Sequence, residues 1–370
     1  MTSETITSAS PAASLKPRRG RVKCVVWDLD NTVWDGVLLE GDNVRLRADV
    51  VDIIRRLDRD GILHSVASKN DHAAAMEQLR EFGIDDLFLY PEIGWNAKSH
   101  SVQRIARSFN IGLDAIAFVD DQEFERAEVA HEVPEVICVD VADLASAVRA
   151  PEFSPRFVTG ESRQRRDLYR HQIARDSAEA EFAGTSEEFL AGLGMVFTIS
   201  PAGAGDLRRA EELTVRTNQL NSTGRSYTYT ELDRLRTSPD HLLLVASLDD
   251  RFGSYGTIGL TLVERGDPDW TLRLLLMSCR VVSRGVGTIM LNHVMCLARD
   301  AAAGLRADLV VTGRNRMMQI AYAFAGFREI SRDGDQVVLA ADLDAIQPAP
   351  SYVRLNTAPD AAPDRLAGRP

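Results

Sequence analysis

Residues 22–32 read VKCVVWDLDNT. An apolar, β-branched run that breaks off into two carboxylates reads as a buried strand ending at a polar edge. Working outward, residues 48–60 (ADVVDIIRRLDRD) carry helical spacing and stop at Gly61, a residue suited to a helix end. Residues 62–67 form a second strand, and Asn70 or Asp71 caps a helix running to Phe82 and Gly83. A helix over 98–109, a strand over 115–119, a helix over 124–132 and a strand over 135–139 complete the series. Strands and helices alternating in this way predict an α/β fold of Rossmann type, a parallel sheet covered on both faces. In such sheets the chemistry gathers at the carboxyl ends of the strands.

The polar residues fall where that rule puts them. Asp28, Asp30 and Thr32 follow the first strand, Ser68, Lys69 and Asn70 the second, Lys98 opens a helix, and Asp120 and Asp121 follow a later strand. Phosphoryl transfer needs such a set. One carboxylate attacks phosphorus, a second moves the proton, hard oxygen ligands hold Mg²⁺, and a hydroxyl and an ammonium steady the phosphoryl oxygens. Only 37 residues separate Asp30 from Ser68, and 29 separate Ser68 from Lys98. Neither gap houses a cap domain, so an open site is expected.

DLDNT, Ser68, Lys98 and VDDQEFER resemble the four motifs of the haloacid dehalogenase superfamily. The resemblance implies Asp28 as nucleophile and Asp30 as general acid/base. It implies phosphate binding by Ser68 and Lys98, with Thr32, Lys69 and Asn70 beside them, and Mg²⁺ held by Asp28, the Asp30 carbonyl, Asp120 and the adjacent Asp121.

Composition bounds the rest. A chain of 370 residues is long for one core, so two domains are expected. A net charge of −11 argues against general nucleic-acid binding. No apolar stretch approaches the length of a membrane span. Cys24, Cys138, Cys279 and Cys296 lack the spacing of a zinc site or disulfide framework, which fits a reducing cytoplasm. We expect disordered tails over 1–20 and 347–370, a first domain over 21–150, a solvated helical linker over 151–190 and a second domain over 191–346. Within the linker, Arg163, Arg165, Arg166 and Arg170 form a basic cluster able to dock an acidic partner.

The second domain reads as a mixed sheet with helices. Its strands fall at 195–199, 242–248, 257–264, 272–277, 307–312 and 336–343, with helices over 210–221 and 288–303. After the strand at 272–277 comes SCRVVSRGVG, residues 278–287. Arg284, Gly285 and Gly287 make an anion-cradling turn before a helix. With Asn315, Tyr322 and Gly326-Phe327, this resembles the acyl-CoA-binding half of the GNAT acyltransferase fold, in which the tyrosine can protonate a leaving thiolate. Val282 departs from that pattern. Cys279, between Ser278 and the phosphate- or substrate-binding candidate Arg280, sits where positive potential favours a thiolate. Asn218, Asn221 and Arg225 are further pocket candidates; turn and cap duty is the alternative for the asparagines.

Over about residues 21–343 the arrangement resembles the FkbH-like family of polyketide biosynthesis. VVWDLDNTVWDGVLLEGD, ASKND, FVDDQEFER, RTNQLNSTGRSYT, LDDRFGSYGTIGL and LLLMSCRVVSRGVG carry the likeness. The resemblance implies a glyceryl transferase/phosphatase that takes D-1,3-bisphosphoglycerate and loads a phosphopantetheinylated acyl carrier protein, for methoxymalonyl-type extender units or tetronates. A capless Mg²⁺-dependent phosphatase of a small phosphometabolite, with the second domain as lid, is the alternative.

Overall fold

A computed structural model describes residues 21–41, 43–155, 157–217, 219–313 and 315–358. The chain divides into two compact units, residues 1–156 and 157–370. The predicted tail over 1–20 lies outside the described residues.

Unit 1 holds β1 (Cys24–Trp27), a small hairpin of β2 (Trp34–Asp35) and β3 (Arg45–Leu46), β4 (Leu63–Ser68), β5 (Glu92–Ile93), β6 (Ile116–Asp120) and β7 (Ile137–Asp140). Its helices are α1 (Ala48–Arg59), α2 (His72–Glu81), α3 (Lys98–Phe109) and α4 (Glu123–Glu132). The sheet order is β5-β4-β1-β6-β7, every pairing parallel. All four side chains of β1 are buried, as a central strand covered on both faces requires. Val50, Val51, Ile54 and Leu57 put one face of α1 into that core, and the Asp71 carboxylate caps α2 by accepting from the Ala74 amide at 2.9 Å. The chain runs from β1 outward to β5, then returns to the other side of β1 at β6. This reversal makes the β1–β6 edge the switch point of the sheet, where a crevice opens.

Unit 2 contains one eight-stranded mixed sheet. Its strands are β8 (Met195–Pro201), β9 (His241–Asp250), β10 (Gly253–Glu264), β11 (Asp269–Met277), β12 (Gly304–Val310), β13 (Phe327–Asp333), β14 (Gln336–Ala341) and β15 (Val353–Thr357), in the order β13-β14-β12-β11-β10-β9-β8-β15. Helices Val286–Asp300 and Arg316–Phe324 contribute to the core on one face, and Leu207–Arg216 and Tyr229–Thr237 to that on the other. The parallel pair β11–β12 is joined only at Asp269–Leu272 against Gly304–Ala307. Beyond that point residues 220–222 bridge the strands. The Met277 amide donates to the Leu220 carbonyl, the Ser222 amide to Leu275, and the Val310 amide to Ser222, at 2.9, 2.9 and 2.8 Å.

Three expectations change. The reading of 347–370 as tail fails over 353–357, where β15 pairs in parallel with β8 and Val353 is buried; residues 359–370 lie outside the described residues. The expected solvated helix is Arg165–Ala180, in unit 2. Its Arg175 is buried and forks onto Asp250 at 2.7 and 2.9 Å, with its guanidinium 3.7 Å from the Tyr255 ring. A charge paired 75 residues away leaves no local sequence signal. The helix expected to run through 221 ends at Arg216, because the backbone at 220–222 is committed to the sheet.

Candidate active site

Four elements of unit 1 deliver side chains to the switch point. Asp28 follows β1, Ser68 ends β4, Lys98 begins α3 and Asp120 ends β6. All four are buried. The Lys98 ammonium bridges Asp28 Oδ1 at 2.5 Å and Asp120 Oδ2 at 2.6 Å, and the nearby Ser68 hydroxyl favours the ionised form of Asp28. Burial pushes the Asp28 carboxyl up, Lys98 pulls against it, and Asp120 adds to the rise. Burial likewise works against the Lys98 ammonium, but Asp28 and Asp120 together hold it above its ordinary value.

Asp28, Asp120 and Asp121 present carboxylate oxygens within 4.8 Å of one another. Three carboxylates around one ammonium offer the hard oxygen donors that Mg²⁺ takes. Burial raises Asp121 as well, and Asp120 adds to it. The Gln122 amide fixes Asp120 by donating to Oδ1 at 2.8 Å, and the Asp121 amide donates to Thr32 Oγ1 at 3.2 Å. Thr32 therefore ties β1 to the end of β6.

Asp30 stands apart from that cluster. Its Oδ1 accepts from Trp34 Nε1 at 2.8 Å and the Leu38 amide at 3.1 Å, and its Oδ2 from Asn70 Nδ2 at 3.1 Å. Three donors fix its carboxylate beside the nucleophile position. Trp34 went unassigned in the sequence reading; an aromatic N–H four residues after Asp30 was its only signal. Two phosphate-binding candidates have partners within the protein. Lys69 pairs with Glu125 of α4 at 2.6 Å, and Asn70 spends its amide on Asp30 and its oxygen on the Asp71 amide. Both thus brace the site.

In unit 2, Cys279 opens the 3-10 turn Cys279–Arg284, which leads into helix Val286–Asp300. Gly285 takes φ of 73° there, a left-handed conformation that favours glycine. Gly285, Gly287, Met277, Leu220 and Met318 contribute to a groove of about 130 Å³. Other candidates do not line it. The Arg284 guanidinium is buried and bonded to Glu179 at 3.0 Å, so it anchors helix Arg165–Ala180. Tyr322 is buried edge-on to Phe327, with its hydroxyl pushed up by burial. Asn221 caps the turn at Thr223 and Gly224. Asn315 donates to the Val310 and Asn221 carbonyls at 2.7 and 3.2 Å. The two asparagines thus serve backbone. Arg225 lies over Tyr227 in a separate polar cavity of about 380 Å³ with Arg273 and Asp308. Asn218 lies outside the described residues.

No protein-family model and no curated protein matches the sequence. Among solved structures, the N-terminal part of a Bacteroides fragilis protein, containing a phosphatase domain and complexed with Mg, is 28% identical, with a TM-score of 0.31, covering 36% of this chain and 40% of that one. The chain thus spans about two fifths of that protein's length. An N-acetyltransferase of Thermoplasma acidophilum in complex with coenzyme A is 15% identical (TM-score 0.33; 40% of this chain, 98% of that one). The ribosomal-protein-S18-alanine N-acetyltransferase of Escherichia coli is 17% identical (TM-score 0.31; 42% and 97%).

Proposed function

We propose that the chain is a two-centre enzyme, a Mg²⁺-dependent phosphatase in unit 1 and an acyltransferase in unit 2. Together the two centres take D-1,3-bisphosphoglycerate, remove phosphate and load a glyceryl group on the phosphopantetheine thiol of an acyl carrier protein. The product would feed polyketide extender units of the methoxymalonyl type, or tetronates. The observation that carries the phosphatase reading is the buried Asp28–Lys98–Asp120 bridge at the switch point.

Asp28 attacks the phosphomonoester and becomes an aspartyl-phosphate. Asp30, held by Trp34, Leu38 and Asn70, protonates the leaving oxygen and then takes a proton from the attacking water. Asp28, Asp120 and Asp121 would hold Mg²⁺, which supplies charge neutralisation on the phosphoryl oxygens. Lys98 works against the burial that raises the Asp28 carboxyl, and its ammonium would steady the transferring phosphoryl oxygens. In unit 2, the Cys279 thiolate displaces phosphate from the acyl phosphate, and the resulting thioester passes the glyceryl group to the carrier thiol. The narrow groove beside Gly285 and Gly287 suits the pantetheine arm.

The test is intact-mass spectrometry of the protein with Mg²⁺, freshly generated 1,3-bisphosphoglycerate and a pantetheinylated carrier. A carrier gaining one glyceryl group without phosphate is the expected product, and Cys279→Ala should abolish it while phosphate release continues. Released phosphate beside an unmodified carrier, across several carriers, would reduce the protein to a phosphatase of a small phosphometabolite.

A further inference from the structure

Helix Arg316–Phe324 carries an apolar row that the core does not use. Its buried side chains are Met318 and Tyr322. Met317, Ile320 and Phe324 are exposed, by 45%, 38% and 71%. Spacings of three and four residues set them on one face of the helix. Single exposed hydrophobics are ordinary, but an apolar row that joins an apolar groove marks an interaction surface. The groove of about 130 Å³ described above is lined by Met317, Ile320 and Ala321 from this helix, and by Gly285, Gly287 and Thr288 from the turn and helix that follow Cys279. Phe324 extends the row one helical turn beyond that lining.

Charge selects the partner. The chain has 54 Asp and Glu residues and a net charge of −11, yet the two stretches that build this face hold no carboxylate. Residues 270–299 carry four arginines and residues 309–327 carry two, with no Asp or Glu in either. Arg316 opens the helix and Arg328 follows it; both are exposed, and neither forms an ion pair among the described residues. Glu179, which reaches the turn from helix Arg165–Ala180, is bonded to Arg284 at 3.0 Å. An acidic partner therefore meets open guanidiniums and no like charge from these two stretches. A second copy docking through the same face would set arginine against arginine.

We propose that the row Met317, Ile320 and Phe324, flanked in the chain by Arg316 and Arg328, is the surface on which the acyl carrier protein docks, through an acidic amphipathic helix of the carrier. This rests on reading unit 2 as the centre that loads a carrier thiol. A helix laid along the row stands at the mouth of the groove, from which the carrier's pantetheine arm enters beside Gly285 and Gly287. From Met317 to Phe324 the row is roughly 10 Å long at 1.5 Å per residue. So small a contact makes a short-lived complex, which suits a carrier that must leave once it is loaded.

The test is the steady-state rate of glyceryl loading by the full chain, with Mg²⁺ and 1,3-bisphosphoglycerate. The acceptors are a panel of pantetheinylated carriers and, separately, free phosphopantetheine. Phe324→Ser and Arg316→Glu should each raise the KM for the best-loaded carrier about tenfold or more. Both should leave kcat at saturating carrier, the rate with free phosphopantetheine and the melting temperature within error of the parent. Ile330→Ser, on an exposed strand residue outside the row, should change nothing. If one variant does not fold, the other decides. An unchanged carrier KM in a folded variant, or an equal loss with free phosphopantetheine, would overturn the docking surface. So would loading of free phosphopantetheine but of no carrier, or a parent dimer that Phe324→Ser dissociates in sedimentation. A parent that loads neither acceptor would instead sink the transferase reading, and the docking surface with it.

Discussion

Replacing Lys98 with methionine removes the single ammonium between Asp28 and Asp120 while keeping most of the side chain's volume. The three carboxylates of the cluster then face one another with no cation among them. Removing one partner of a buried ion pair costs about 3–5 kcal/mol. For a unit of this size, each kcal/mol lowers the melting temperature by about 2–4 °C, so the unit 1 transition should fall by roughly 6–20 °C. Part of that loss is returned as protons taken up by Asp28, whose carboxyl burial already pushes up. Mg²⁺ should stabilise the variant more than the parent, because the pocket loses its one ammonium and Mg²⁺ can take that place among the carboxylates. A ligand at about a hundred times its dissociation constant adds about 2.7 kcal/mol. Differential scanning calorimetry with EDTA and with Mg²⁺ reads both effects, and phosphate release should fall at least a hundredfold. An unchanged melt in EDTA, or a Mg²⁺ increment no larger than the parent's, would refute the charge argument for this cluster.

Three further outcomes are expected. Trp34→Phe deletes the 2.8 Å hydrogen bond to Asp30, worth about 1.5–3 kcal/mol to a charged acceptor, and should lower kcat about tenfold or more with little change in KM. Burial opposes the Glu212 charge, but Arg209, Arg165 and Arg216 hold its carboxyl down at about 2, against an ordinary 4.5. The stabilisation from that depression, about 3 kcal/mol, is full above about pH 4.5 and lost as pH falls through about 2; acid titration of the unit 2 melt should show this, and Glu212→Gln should flatten it. Truncation after Gln347 removes β15 and uncovers the edge of β8; the unit 2 melt should fall and aggregation on heating should rise, as light scattering would record.

The unit 1 site was legible because its chemistry sits at element boundaries. Asp28 ends an apolar run, and Lys98 opens α3 at the residue expected. The bracing of Asp30 by Trp34 was not legible, since it depends on where the β2–β3 hairpin folds back. In unit 2 six strands of the sheet were readable as apolar runs, but β13, exposed at all but its first residue, and the ionic interior were not. Arg175 finds Asp250, and Arg165 finds Glu212, 47 residues away; a charged helix with no apolar stripe reads as solvated until its partners are known. The strand at 353–357 was missed because it is short and its neighbours are rich in proline and alanine. Asn221 and Asn315 resembled ligand-binding residues because an amide that holds a turn and an amide that holds a substrate have the same composition.

The bridge at residues 220–222 also bears on the order of folding. β9, β10 and β11 form from successive hairpins, but closure between β11 and β12 requires a tripeptide more than fifty residues upstream to arrive between them. The loop closed by such a contact is long, and its entropy is paid before any reward from pairing. The nucleus of unit 2 is therefore expected in the β9–β10–β11 meander, with β12, β14 and β13 joining late. Substitutions in the meander should slow folding, whereas Ser222→Ala, which removes the Ser222 Oγ acceptor of the Leu275 amide at 3.0 Å, should mainly speed unfolding.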